Sequence, residues 1–528
     1  MTRGPAKPRV LIVNAYVHPK RSSTPTKLFI PRAMAPYYLA GVFNRSRADV
    51  RVHDEVYHGA LLDPASYAWP DIVIFTGLTN AFDRTRQLCA YVRHFRPGVV
   101  TIIGGPIARA LPRPCAEFFD HVCLGDVDEM DVLIDDVLGP DHIADAPAPA
   151  YDLCGGSRLA GSIETTTNCN FACAFCSLSG ERRPYKAHTD ASIIGQIEAL
   201  GPVHALMVLD NNFYGNDRKS FRARTELLGE YWRRGAFKGW GALVTMDFFA
   251  KPENLKFVAQ NGCKALFSGV ESLDPTVLKT FNKRHSLVSD PATLSRACAE
   301  YGVIFDYGVI FDFSRQTMAE VSDQFDLILN HPDIPIPGLL SLTIPILGTP
   351  YFDDAAKEGR LMPNLRLCDL DGQKLVEWPK EPLDEVVPFV RDILTFRRRK
   401  RTLTKKVLTY SWRMRRKYSL DQTIFHLLRP IVRYGGAVRV GSVRQMRSDL
   451  RETPPTFCAM TDTLSASYRP HVNLPSWSKD YFKPFSVTDT NGNVTEAVST
   501  RLDPISNIVS AATYGDPRRA ILAPTYNA

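Results

Sequence analysis

Gly161-Ser-Ile-Glu-Thr-Thr-Thr-Asn-Cys-Asn-Phe-Ala-Cys-Ala-Phe-Cys176 runs from a strand-like start straight into three cysteines, Cys169, Cys173 and Cys176, spaced C-x3-C-x2-C. Thiolates are the usual ligands of a 4Fe–4S cube, which takes four of them. Three closely spaced cysteines with no obvious fourth therefore predict an iron–sulfur cluster with one iron open to a small molecule. Zinc is the competing reading, but zinc sites normally pair two C-x2-C-type hooks and close with four ligands. No second hook lies near this triplet, so spacing favours the cluster.

Outward from the triplet, short apolar runs recur at Gly161–Thr165, Ala205–Leu209, Gly241–Thr245, Ala265–Ser268, Ile304–Phe311 and Leu339–Thr343, with helical spacing between them. Six βα units predict a partial barrel whose functional residues gather at the carboxyl ends of its strands. The triplet follows the first strand and Asp210-Asn211-Asn212-Phe213 the second, where an Asx turn closing the strand would use the same residues. Met246 and Asp247 end the third strand, and Gly269-Val270-Glu271-Ser272 follows the fourth.

Upstream, β-branched runs at Val10–Val13, Val50–His53, Asp71–Phe75, Val99–Ile103 and His121–Leu124 alternate with helical segments such as Phe82–Phe95. This predicts a doubly wound, mostly parallel, Rossmann-like sheet, in which ligands bind beyond the carboxyl ends of the strands. Thr76-Gly77, Gly104-Gly105-Pro106 and Gly125-Asp126 are then the candidate loops, because glycine lets a bulky ligand approach the backbone.

The chain has 528 residues, enough for two or three domains, with 45% hydrophobic and 23% charged residues, as in ordinary globular proteins. Its 11 cysteines are scattered and odd in number, unlike a secreted disulfide framework, so a reducing cytoplasm is expected. Val10–Val13 belongs to an apolar run too short to span a membrane, and no stretch reaches the roughly 18 apolar residues a span requires. Net charge is +8, with cations concentrated between Arg391 and Arg447. Trp412, Tyr418, Phe425, Leu427, Leu428 and Ile431 interleave with them, so the segment reads either as a solvated helix face or, over 391–433, as a peripheral membrane contact. No dedicated nucleic-acid module is visible.

The triplet resembles the signature of the radical S-adenosylmethionine (SAM) superfamily, and Phe175 matches the aromatic position of its C-x3-C-x-Φ-C form. Asp210-Asn211-Asn212-Phe213 resembles the D-x-N-F variant of the cobalamin-linked branch, and Gly269–Ser272 the G-x-E-S box. Lys283 matches a lysine often found in that branch, and Ile344–Pro350 resembles the T-P-x-P-G-T-P segment with Leu347 in place of proline. The resemblance implies that Cys169, Cys173 and Cys176 hold the cluster and that Phe175 lies beside the adenine of SAM. It also implies that Asp210, Asn211 and Asn212 accept hydrogen bonds from the ammonium of SAM, while Glu271 and Ser272 hold its ribose and methionyl parts. Residues 8–140 look like the cobalamin-binding domain that precedes many radical SAM domains, with Thr76, Gly77, Gly104, Gly105, Pro106 and Gly125 as implied cofactor contacts. The D-x-H-x-x-G motif of other cobalamin proteins is absent, and His18, His53 and His58 lie outside that context.

These resemblances imply a cobalamin-like domain at 1–145 and a partial (β/α)6 TIM-barrel radical SAM domain at 146–358; the remainder carries no nameable motif and reads from its composition as a mainly helical basic region at 359–455 that caps the site and an extended Pro/Ser/Thr-rich tail at 456–528. The activity implied is methylation of an unactivated carbon of a small-molecule or lipid-like substrate, through a 5′-deoxyadenosyl radical and methylcobalamin. A flavodoxin- or ferredoxin-type donor would supply electrons. Two alternatives stay open: a non-methylating enzyme with the same cofactors, performing oxidative cyclisation or rearrangement, and a non-catalytic cobalamin- or metal-binding protein. A methylthiotransferase is disfavoured, because Cys89, Cys115 and Cys123 lack cluster spacing.

Overall fold

The computed structural model describes residues 7–15, 33–154, 159–283, 290–362 and 367–434, apart from positions 60, 62, 182 and 397, together with strand segments Phe485–Thr488, Val494–Ala497 and Ile521–Leu522. Among the described residues no helix is long and apolar enough to cross a membrane. The chain forms two compact units: one contains the described residues up to Cys154 and Leu367–Leu370, the other runs from Leu159 to Met362 and resumes at Asp371.

The first unit is built on parallel strands β1 (Arg9–Asn14), β2 (Asp49–Asp54), β3 (Ile72–Thr76), β4 (Val100–Ile103) and β5 (His121–Cys123), in spatial order β5-β4-β3-β1-β2. Every residue of β3 is buried, as expected of an inner strand covered on both faces. At the edge, β2 mixes exposed and buried positions, with Asp49 and Arg51 facing solvent. The chain steps from β1 to β2 on one side and returns to β3 on the other, so the switch point lies between the carboxyl ends of β1 and β3. Ile521–Leu522 adds an antiparallel strand beside β5. Most of the expected tail at 456–528 lies outside the described residues.

Beyond β2, Glu55 and Arg84 form a fully buried ion pair at 2.6 Å, and the backbone N–H of Leu61 donates to the same carboxylate. Burying two charges is tolerable because each is paired and further hydrogen-bonded.

In the second unit, β6 (Ala160–Ile163), β7 (Ala205–Val208), β8 (Gly239–Leu243), β9 (Cys263–Glu271), β10 (Ile304–Phe311) and β11 (Leu339–Leu342) lie side by side in chain order, all parallel. With helices between successive strands, this is an open half-barrel. Side-chain caps from Thr189, Asp217, Asp274, Asp290, Thr317 and Thr349 start the helices that follow the strands.

Several strand ends in this sheet differ from the sequence reading by one to three residues, and two of them have an identifiable local reason. β6 stops at Ile163 rather than Thr165, because the Thr165 N–H donates to the Asp210 carboxylate at 2.6 Å instead of extending the ladder. β9 runs through Gly269-Val270-Glu271 with a register shift, and Glu271 takes a left-handed φ of 63°. The helices Lys400–Met414 and Leu420–Tyr434 do not cap the carboxyl ends. Gln422 Nε2 donates to the carbonyls of Lys264 and Gly302 at 2.8 and 2.7 Å, at the start of β9 and just before β10. They therefore pack at the amino ends of the strands. Within the described part of 359–455, the stretch Gly372–Lys380 reaches the carboxyl ends, where Leu342 N–H donates to Gly372 O at 2.7 Å and Lys380 N–H to Phe313 O at 2.9 Å.

Candidate active site at the carboxyl ends of the half-barrel

The cysteine loop is tied down from several elements. A two-residue hairpin, Thr166–Thr167 with Lys186–Ala187, precedes and follows it. Ala174 N–H donates to Phe281 O and accepts, through its carbonyl, from Tyr351 N–H, both at 3.0 Å. Asn282 Nδ2 donates to Ala172 O at 2.9 Å, Asn212 Nδ2 to Asn170 Oδ1 at 2.7 Å, and Ser179 Oγ to Cys173 O at 2.8 Å. Such cross-links fix the backbone that presents the three thiols.

Cys173 is buried and the other two thiols are half-buried. Burial pushes Cys173 up to about 11, with the Lys283 ammonium opposing and the neighbouring thiols Cys176 and Cys169 adding to the rise. Burial also raises Cys169 and Cys176. Three thiols carried on one short, cross-linked loop form a soft donor set that suits an iron–sulfur centre. Among the described residues no three Cys, His, Asp or Glu side chains converge on one point as the ligands of a single ion do. Ligands of a four-iron cube bind separate corners and need no such convergence.

Lys283 Nζ pairs with Glu271 Oε1 at 2.6 Å, both groups almost wholly buried, and lies 5.7 Å from the centre of the Phe175 ring. Gly269 makes room for that pair, since a Cβ there would sit 2.1 Å from Glu271 Oε1. Phe175 packs on Phe281 with ring centres 4.9 Å apart. Ser272 Oγ donates to Gln324 Oε1 and accepts from Asp274 N–H, each at 3.1 Å. Asn211 is exposed and Asn212 is buried, its Oδ1 accepting from Thr245 N–H at 3.4 Å.

Asp210 is fully buried, and its oxygens accept from Thr165 N–H at 2.6 Å, Thr165 Oγ at 2.5 Å and Thr166 N–H at 3.0 Å. As placed, this carboxylate is occupied within the chain and anchors the approach to the cysteine loop. Phe175, Asn212, Glu271 and Lys283 come together with the triplet; Asp210 stands one layer behind.

Sequence reasoning missed a buried polar cluster beside this loop. Tyr351 OH lies 2.8 Å from both Asp312 Oδ2 and Glu377 Oε2, and Arg360 pairs with Glu377. Residues 312, 351, 360 and 377 form no motif, and only the fold unites them. A phenol has one proton to give, so both carboxylates cannot be satisfied as anions by Tyr351 alone. Burial, reinforced by the Asp312 charge, pushes Glu377 up to about 7. Its folded value thus exceeds the unfolded one of about 4.3, so stability is fully present below that value and is lost as pH rises through about 7. Denaturant midpoints are expected to fall by on the order of 1 kcal/mol in stability per pH unit across the upper part of this window. Glu377→Gln should flatten that slope, and an unchanged slope would refute the assignment.

In the first unit, Thr76 is buried at the end of β3 and Gly77 follows it. Gly105 has φ 78°, and a Cβ there would lie 2.9 Å from Thr76 Oγ. Pro106 opens the next short helix. A Cβ on Gly125 would meet the Glu129 carboxylate at 2.7 Å, so packing explains that glycine. Gly104 differs: a side chain there would meet only ordinary contacts, 3.5 Å or more, so the fold does not demand its bareness and a ligand approaching the β4 end would use it. His53 Nε2 is hydrogen-bonded with Gly59 O and His58 Nδ1 accepts from Asp54 N–H, while His18 lies outside the described residues.

Residues 163–322, which hold the C-x3-C-x2-C loop and most of this open parallel half-barrel, match the family model described as the Radical SAM superfamily. The chain is 26% identical over 339 residues to the hopanoid C-2 methylase of Rhodopseudomonas palustris, covering 59% of this chain and 62% of that protein. It is 29% identical over 142 residues to the bacteriochlorophyllide d C-12(1)-methyltransferase of Chlorobaculum tepidum, covering 26% of this chain and 30% of that one. The chain thus spans less than two thirds of either relative. Among solved structures, the cobalamin-dependent S-adenosylmethionine radical enzyme OxsB with aqua-cobalamin bound superimposes with a TM-score of 0.55 at 15% identity, over 80% of this chain and 72% of that one, a likeness of fold.

Proposed function

We propose that this chain is a cobalamin-dependent radical SAM enzyme that methylates an unactivated carbon of a small-molecule or lipid-like substrate. The observation that carries the reading is the gathering of three buried or half-buried thiols with the Glu271–Lys283 pair at the carboxyl end of the half-barrel. The methylase names of two relatives support the reaction, and the OxsB likeness supports cobalamin as second cofactor.

In this reading Cys169, Cys173 and Cys176 hold the cluster and leave one iron for SAM. Phe175 offers an aromatic face to the adenine, and exposed Asn211 with buried Asn212 offers amide groups to the methionyl end. Glu271, paired with Lys283, and Ser272 close the same side. Asp210 positions the loop rather than the ligand. Gly104, with Thr76, Gly77, Gly105, Pro106 and Gly125 around it, forms the rim of the cobalamin site. When bound, the cluster supplies the electron that cleaves SAM and cobalamin carries the methyl group; the protein contributes orientation and exclusion of water. A flavodoxin- or ferredoxin-type protein is the proposed donor, and a reducing cytoplasm, where free thiols persist, the proposed setting.

Comparing by mass spectrometry the metabolites and lipids of the parent organism with those of a strain lacking this gene tests the reaction. A missing compound heavier by one CH2, with its lighter partner accumulating, is expected. An accumulating compound that differs in hydrogen or oxygen count instead would replace methylation by oxidative cyclisation or rearrangement.

A further inference from the structure

The helices Lys400–Met414 and Leu420–Tyr434 carry a surface that the reaction leaves unexplained. Their inner faces bury Leu403, Val407, Tyr410 and Met414 on one helix and Gln422 and His426 on the other. Apolar side chains also stand on their outer faces, two of them among cations on the first helix and a row on the second. Leu408 and Trp412, one turn apart, are 56% and 66% exposed, and Leu420, Ile424 and Leu428 form a row on the second helix, 75%, 44% and 44% exposed, with Phe425 beside it. A surface helix is normally polar on its outer side, so the exposed apolar row of the second helix, with Leu408 and Trp412 on the first, marks an interaction face.

Cations rim this face. From Arg398 to Arg429 the chain holds 11 Lys and Arg against one acid, Asp421. Arg399, Arg413 and Arg429 pair with Asp326, Asp333 and Asp306. Lys400, Arg401, Lys405, Arg416 and Lys417 are exposed and take no carboxylate partner among the described residues. The Arg415 guanidinium stacks 3.5 Å from the Trp412 ring centre, so charge and aromatic surface reach the same level.

We propose that this helix pair docks on an anionic lipid bilayer. Exposed Trp, Phe and Leu would enter the headgroup boundary while unpaired Lys and Arg meet the lipid phosphates, the pattern of an interfacial amphipathic anchor. Charge argues against the other occupants. A second copy would set one cationic rim against another, and the following segment of this chain brings more arginine, at Arg439, Arg444, Arg447 and Arg451. Because the pair packs at the amino ends of β9 and β10, opposite the cysteine loop, the contact anchors the protein and does not deliver substrate to the loop.

Full-length protein sedimented with vesicles provides the test, using phosphatidylcholine alone or with about one third phosphatidylglycerol. Association is expected only with the anionic vesicles, and it should fall by about tenfold or more in high salt. Leu408→Gln/Trp412→Ser/Leu428→Gln and, separately, Lys400→Glu/Lys405→Glu/Arg416→Glu should each lower it by a similar factor with unchanged circular dichroism, since all six side chains are exposed. Equal binding to both vesicle types, or none, would overturn the proposal. So would a wild-type dimer that the apolar variant dissociates, or binding of single-stranded nucleic acid that anionic vesicles fail to displace.

Discussion

Cys173→Ala, reconstituted anaerobically with iron and sulfide, is expected to lose cluster absorbance and to cleave SAM no faster than protein-free controls. Cys173 is the most buried of the three thiols, and its carbonyl and the next peptide are fixed by Ser179 and by the Phe281 and Tyr351 backbones. A centre that already leaves one iron open to substrate would retain two protein ligands, too few to hold a cube. Cys263→Ala is the matched control: that thiol is buried at the start of β9 and pushed up to about 12 by burial, so it behaves as a small apolar group. It should keep both cluster and cleavage. Full cleavage by Cys173→Ala would remove the basis of the enzyme reading.

Asp210→Ala should destabilise the protein more than any other single change at the site. It strands two backbone N–H groups and one hydroxyl, on Thr165 and Thr166, both fully buried. Each stranded donor costs about 1–3 kcal/mol, so the three together cost roughly 3–9 kcal/mol, a large part of a typical domain's stability. Because these threonines lead into Cys169, iron content should fall together with the melting temperature. A carboxylate that instead bound the SAM ammonium directly would give a different signature: a raised KM for SAM with melting temperature and iron content unchanged.

Much of this architecture is legible from periodicity alone. The five parallel strands of the first unit fall within a residue or two of their sequence assignments, since inner strands read as unbroken apolar runs and the edge strand β2 alternates. The helix Phe82–Phe95 matches its expected span. Misreadings occur where a distant residue overrides local pattern. Asp210, 45 positions on, takes the amide that would have lengthened β6, and the Glu271–Lys283 pair draws the end of β9 into a bulge over Gly269. The Asp312–Tyr351–Glu377 cluster left no trace in spacing, because its members come from three separate segments. Likewise the basic segment was visible as composition, but not that its helices would pack at the amino ends of the strands.

Quantifying the products of SAM in the full-length, cluster-loaded protein supplied anaerobically with a strong reductant, cobalamin and an extract of the gene-deleted strain tests the central claim most directly. A cobalamin-dependent radical methylase consumes two SAM molecules per methylation, so 5′-deoxyadenosine and S-adenosylhomocysteine are expected together in a ratio near one to one. S-adenosylhomocysteine without 5′-deoxyadenosine, or no cleavage at all by protein carrying its full iron, would contradict it.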